Sequence, residues 1–69
     1  MINVNELKGR IVAKGYTQTD VANKIGITPK TFSTKLKKGV LNSKEIEKLI
    51  DILDIKNPID IFFVDNVTQ

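Results

Sequence analysis

The chain has 69 residues, 41% of them apolar, and a formal net charge of +3, which bounds it to one small domain that buries only about 60% of its unfolded surface. It contains no Cys and no His, which excludes disulfide staples, thiolate and imidazole metal sites, and histidine-based acid–base or nucleophilic catalysis. The longest apolar run, residues 61–64, is far short of the ~20 needed to cross a bilayer; with polar Asn3, Asn5 and Glu6 so near Met1 no signal peptide is expected, and a reducing cytoplasm is the expected setting.

In chain order, Asn3 and Glu6 stand at capping-box spacing and open a first helix. Val4, Leu7 and Ile11 share its inner side, Val12 widens the stripe, and Gly15 follows its end. Gly9 inside it costs up to ~1 kcal/mol relative to Ala, and marks either close packing or simple tolerance. Tyr16 precedes the Thr17 cap, placed to pack on Val21 as a staple with its hydroxyl near water.

Residues 17–39 read as two short helices joined by a tight turn. Thr17 caps the first of them and Asp20 places a carboxylate in its first turn; Val21, Ala22 and Ile25 fall on one face, and Gly26 ends it. Thr28 and Pro29 then repeat the start signal. The helix they open carries Phe32 and Leu36 one turn apart and runs out at Lys37, Lys38 and Gly39. At 100° per residue, Lys30, Thr34 and Lys37 lie opposite the Phe32–Leu36 stripe, flanked by Thr31, Ser33 and Lys38. No acid occurs between Ile25 and Ser43. Such a face has the chemistry to meet phosphates and base edges in a major groove; its plainer alternative is a solvated polar surface.

A fourth helix is expected to start at Asn42 or Ser43, with Glu45 in its first turn and Ile46, Leu49, Ile50 and Leu53 inside. Lys44, Glu47, Lys48 and Asp51 then face solvent, and the basic loop before this helix start forms a ready phosphate site. Asn57 and Pro58 break the pattern and open a short fifth helix through about Phe63, followed by a frayed tail over residues 65–69. The C-terminal segment holds more apolar side chains than so short a helix can bury. Ile52, Ile61, Phe63 and Val64 are therefore expected to form a protein interface, most simply of a two-fold dimer. The expected fold is all-α, a compact bundle of four to five short helices in one domain.

Charge divides along the chain. Residues 1–40 carry eight bases against Glu6 and Asp20, a net +6, whereas residues 41–69 carry three bases against six acids, a net −3. A polyanion would attract one half and repel the other.

The ordered set Thr17, Gln18, Val21, Ala22, Ile25, Gly26, Thr28, Phe32, Leu36, Gly39 resembles the helix-turn-helix of the lambda-repressor-like family of small phage repressor and Cro proteins. It departs from it in spacing Phe32 and Leu36 by four, where the family commonly has three. The resemblance implies a sequence-specific double-stranded-DNA-binding transcription regulator, a phage or prophage Cro-type repressor acting in the cytoplasm of a bacterial host. It implies that Pro29, Lys30, Ser33 and Thr34 face the bases and that Gln18, Thr28 and Thr31 meet the backbone. Lys37, Lys38, Asn42 and Ser43 join the backbone contacts on their charge and position. The alternative is a phage modulator or antirepressor of the same fold that binds a partner repressor rather than DNA. No enzymatic constellation, cofactor site or small-molecule substrate site is expected.

Overall fold

The computed structural model describes residues 2–63. Five helices follow one another with no strand among the described residues: α1 (Val4–Ala13), α2 (Gln18–Ile25), α3 (Pro29–Lys38), α4 (Ser43–Ile52) and α5 (Pro58–Phe62). Their starts are chemical. Thr17 accepts from the Asp20 N–H (3.1 Å) while Asp20 accepts from the Thr17 N–H (2.9 Å), a complete capping box. Thr28 accepts from the Thr31 N–H with Pro29 in the first turn, and Asn42, rather than Ser43, caps α4. The stops of α2 and α3 are glycines in the left-handed region, Gly26 at φ 86° and Gly39 at φ 70°. After each, the next residue closes the motif, Ile27 N–H to the Ala22 carbonyl and Val40 N–H to the Lys35 carbonyl.

These boundaries leave one apolar stripe per helix to be buried. Leu7, Ile11, Val21, Ala22, Ile25, Phe32, Leu36, Leu49, Leu53, Ile55, Ile61 and Phe62 form a single core. Inside it α2 packs against both α3 and α4, and α1 lies against α5. The Cα radius of gyration, 11.4 Å, is close to the ~11 Å of a compact chain of this length. No described helix is long and apolar enough to cross a membrane.

Four expectations change. Val12 does not widen the α1 stripe; it is 73% exposed, because α1 seats only the narrow Leu7–Ile11 seam. The Asn3–Glu6 pair forms only half of a box. Asn3 accepts from the Glu6 N–H, but its own N–H donates to the Ile61 carbonyl at 2.7 Å, and Glu6 pairs with Arg10 instead. Ile61 is wholly buried (0% exposed), so it belongs to the core and not to an interface, and Ile52 is half-buried against that same core. Phe63, by contrast, caps the end of α5 close to the expected boundary and is exposed. Val64 and the tail expected over residues 65–69 lie outside the described residues. Asn57 precedes α5 without capping it, since its side chain bridges Arg10 and Asp60.

Gly9 has nothing within 4 Å of where a Cβ would stand, so tolerance and not close packing explains it. Gly9→Ala is expected to stabilise the fold by up to ~1 kcal/mol, raising the thermal midpoint by about 4–8 °C for a domain of this size. A circular-dichroism melt with an unchanged or lowered midpoint would refute this.

Candidate nucleic-acid interface

Burial of Phe32 and Leu36 turns the rest of α3 outward. Pro29, Lys30, Thr31, Thr34, Lys37 and Lys38 are all exposed, and Ser33 is half-buried on one flank. The ridge Lys30–Thr34–Lys37 expected from helical rotation is therefore exposed along its length. Lys30, Lys37 and Lys38 make no ion pair among the described residues.

Two concavities run beside this ridge. The smaller, about 270 Å³, gathers Gln18 from the start of α2 with Ser33, Leu36 and Lys37 of α3 and Val4 and Lys8 of α1. The larger, about 560 Å³, lies between α3 and the loop after it. Lys30, Thr31, Thr34, Lys35 and Lys38 form one wall and Val40, Leu41 and Asn42 the other. A helix about 10–12 Å across, with lysines on the wall of a cleft on each side and the larger cleft otherwise mostly apolar, has the cross-section of something laid in a groove about 12 Å wide between two phosphate strands.

The hydroxyls of the ridge are partly committed. Thr28 and Thr31 lie 2.8 Å apart and share one hydrogen bond, which leaves one of their two protons for an outside acceptor. Thr34 donates to the Lys30 carbonyl at 3.0 Å, so its methyl and the Lys30 ammonium are what the ridge offers most freely at its centre. Ser43, the first residue of α4, is exposed.

Beside the larger cleft, the start of α4 is less open than its basic loop implies. Asn42 and Glu45 complete a second capping box: the Asn42 N–H donates to Glu45 Oε1 (2.9 Å) and the Glu45 N–H to Asn42 Oδ1 (2.8 Å). Glu45 Oε2 accepts from Lys35 Nζ. Glu45 is only 5% exposed, yet burial does not neutralise it. Burial pushes its carboxyl pKa up, but the Lys35 hydrogen bond, the Asn42 N–H and the charges of Lys35 and Lys48 outweigh that and hold it below the ordinary value. Lys48 also donates to the Ile25 carbonyl at the end of α2 (3.4 Å), tying α4 to the turn before α3.

The family resemblance pointed to Gln18 and Ser33, and charge and position to Lys37, which the fold does bring together, but neither indicated Lys8 beside them or the Lys35–Glu45 pair. Both were invisible for one reason: each partner sits on another helix, and the only available signal was the charge of the basic half. No group of three or more His, Cys, Asp or Glu able to hold a metal ion lies among the described residues.

A family model described as "Protein of unknown function (DUF739)" matches residues 2–66. The chain belongs to the DUF739 family. No curated protein and no solved structure matches this DUF739 chain.

Two carboxylates of this DUF739 domain make stability depend on acid. Asp20, held low by the Thr17 N–H first and then by the Thr17 hydroxyl and Lys24, and Glu45 both have folded pKa values below their ordinary ones. The unfolded chain therefore binds more protons, and the stability they contribute is complete above the unfolded values and lost as pH falls through the folded ones. The melting midpoint should decline once pH drops below about 4.5, the ordinary Glu value, and Glu45→Gln should flatten part of that decline. A midpoint unchanged from pH 7 to about 3 would exclude both contributions.

Proposed function

We propose that this protein is a sequence-specific double-stranded-DNA-binding transcription regulator of the lambda-repressor-like helix-turn-helix type, in the manner of a phage or prophage Cro-type repressor. The observation that carries the proposal is the acid-free α3 ridge of Lys30, Thr34 and Lys37, exposed between two lysine-bearing clefts.

In this mechanism α3 enters the major groove with its first turns against the base edges. Lys30 donates to guanine O6 and N7. Pro29, which has no N–H to give, and the Thr34 methyl offer apolar contact to a thymine methyl. Ser33 contacts the edge of the site from the flank it shares with Gln18 and Lys37. The phosphate strands lie in the two clefts: Gln18, Lys37 and Lys8 on one side, Thr28, Thr31, Lys38, Asn42 and Ser43 on the other. Counter-ions released at these contacts supply affinity, and the base contacts supply discrimination.

Anisotropy titration of a labelled duplex at several salt concentrations tests this directly, with log affinity expected to fall by about 0.9 per phosphate neutralised for each tenfold rise in salt. On the preferred site Lys30→Ala should cost about 1–3 kcal/mol and relax discrimination at one position, whereas Lys37→Ala should weaken all sequences alike. Negligible binding at low salt would defeat the proposal.

One observation favours a protein-directed reading, as a modulator or antirepressor. A third concavity of about 450 Å³, lined by Ile2, Lys38, Gly39, Val40, Leu41, Ile46, Phe62 and Phe63, is largely apolar. Its rim residues Val40 (63%) and Phe63 (56%) are exposed. A second copy seated there would give a two-fold dimer with the α3 ridge beside the interface, and a partner repressor would occupy the same surface in the antirepressor reading. Phe63→Asp should lower the sedimentation mass of such a complex without unfolding it; an unchanged mass in a folded variant would remove Phe63 from the interface.

A further inference from the structure

A helix start flanked by lysines is ordinarily a place for an external anion. At α4 that place is taken by an acid of the same chain. Glu45 is the one charged side chain buried among the described residues, and its two oxygens answer the Asn42 N–H and the Lys35 ammonium. Lys35 lies on the wall of the larger cleft with Lys30 and Lys38. Its side chain is 33% exposed, while its ammonium is engaged by Glu45 Oε2. Lys30 and Lys38 on the same wall are unpaired among the described residues.

We propose that Glu45 is an internal stand-in for a DNA phosphate: it withholds Lys35 from the duplex and ties the loop after α3 to that helix, making it a positioning residue for the reading face. The inference rests on the DNA-binding reading above. A lysine left free on the cleft wall would add attraction to any duplex, because phosphate contact carries no sequence information. Held by Glu45, it adds neither non-specific affinity nor salt dependence. Handing Lys35 over to a phosphate would leave the buried Glu45 carboxylate with only the Asn42 N–H and the more distant charge of Lys48, a loss that a solvent-screened phosphate contact does not recover. The same pair spans the cleft from α3 to the start of α4, so the separation between Lys30 and Asn42 is set before DNA arrives.

Glu45→Gln isolates the charge, since the amide oxygen can still accept from the Asn42 N–H. With a random-sequence duplex titrated by anisotropy between about 50 and 200 mM salt, this variant should bind more tightly than wild type at the low end. Its log–log salt slope should be steeper by about 0.9, one added phosphate contact. The double variant Lys35→Gln/Glu45→Gln should return to the wild-type slope. A merely structural role predicts the opposite, weaker binding with a slope unchanged or shallower, and that result in a folded Glu45→Gln protein would overturn the inference alone. A wild-type protein that binds no duplex would overturn the DNA-binding reading and this inference with it.

The wild-type protein provides a readout that does not depend on variant folding. In lysine acetylation footprinting read by mass spectrometry, duplex should protect Lys30, Lys37 and Lys38. Lys35 should react slowly and at the same rate with and without DNA. Protection of Lys35 on a par with Lys30 would overturn the inference.

Discussion

Two side chains decide which way α3 faces. Phe32 and Leu36 are one turn apart and both in the core, and at 100° per residue their burial fixes the direction of every other side chain on that helix. A rotation by one residue either way would drive Ser33 and Lys37, or Thr31 and Lys35, into the apolar interior. Burying an unpaired ammonium there is far costlier than any polar contact could offset. The exposed ridge, the two clefts beside it and the inward turn of Lys35 all descend from this one constraint. The left-handed glycines at 26 and 39 serve it by ending α2 and α3 where the chain must change direction.

The starts of α2, α3 and α4 and the stops of α2 and α3 were legible in the sequence because caps and closing glycines act over three or four residues, where the partner is nearby along the chain. Thr17 with Asp20, Thr28 with Pro29, and Asn42 with Glu45 illustrate this, as does the direction of Lys30 and Thr34, which needs only the helical repeat. Contacts between helices were not legible. Asn3 satisfies the local rule with its side chain, yet its N–H goes to Ile61, 58 positions on in the numbering, and Glu6 is displaced to Arg10. Glu45 was legible as a first-turn acid, but its burial was not, because the Lys35 that partners it comes from another helix. The C-terminal segment was read as holding surplus apolar residues, but the local sequence divided them wrongly between interior and surface, placing Ile61 at an interface. Ile61 went to the core and Phe63 to the outside because α5 is a single short turn and a half with one inward face.

A row of like charges on one helix is a cost as well as a tool, and the fold manages it by position. Lys35, Lys37 and Lys38 all fall in the last turn of α3, where the partial negative charge of the helix end favours cations. Asp20 and Glu45 fall in the first turns of α2 and α4, where the opposite sign is favoured. Repulsion along the α3 surface is further relieved by pairing Lys35 internally. The +6 of the first forty residues thus overstates the charge that α3 presents outward.

The 2.7 Å bond from Asn3 to Ile61 joins the two extremes of the described chain, and α5 is the principal neighbour of α1. That bond and the α1–α5 contact tie residues 2–13 to residues 58–63, so α1 lies fully against the core only while α5 is in place. Loss of α5 would open part of the Leu7–Ile11 seam to water and to other chains, while the packing of α2 on α3 and α4 would not be touched.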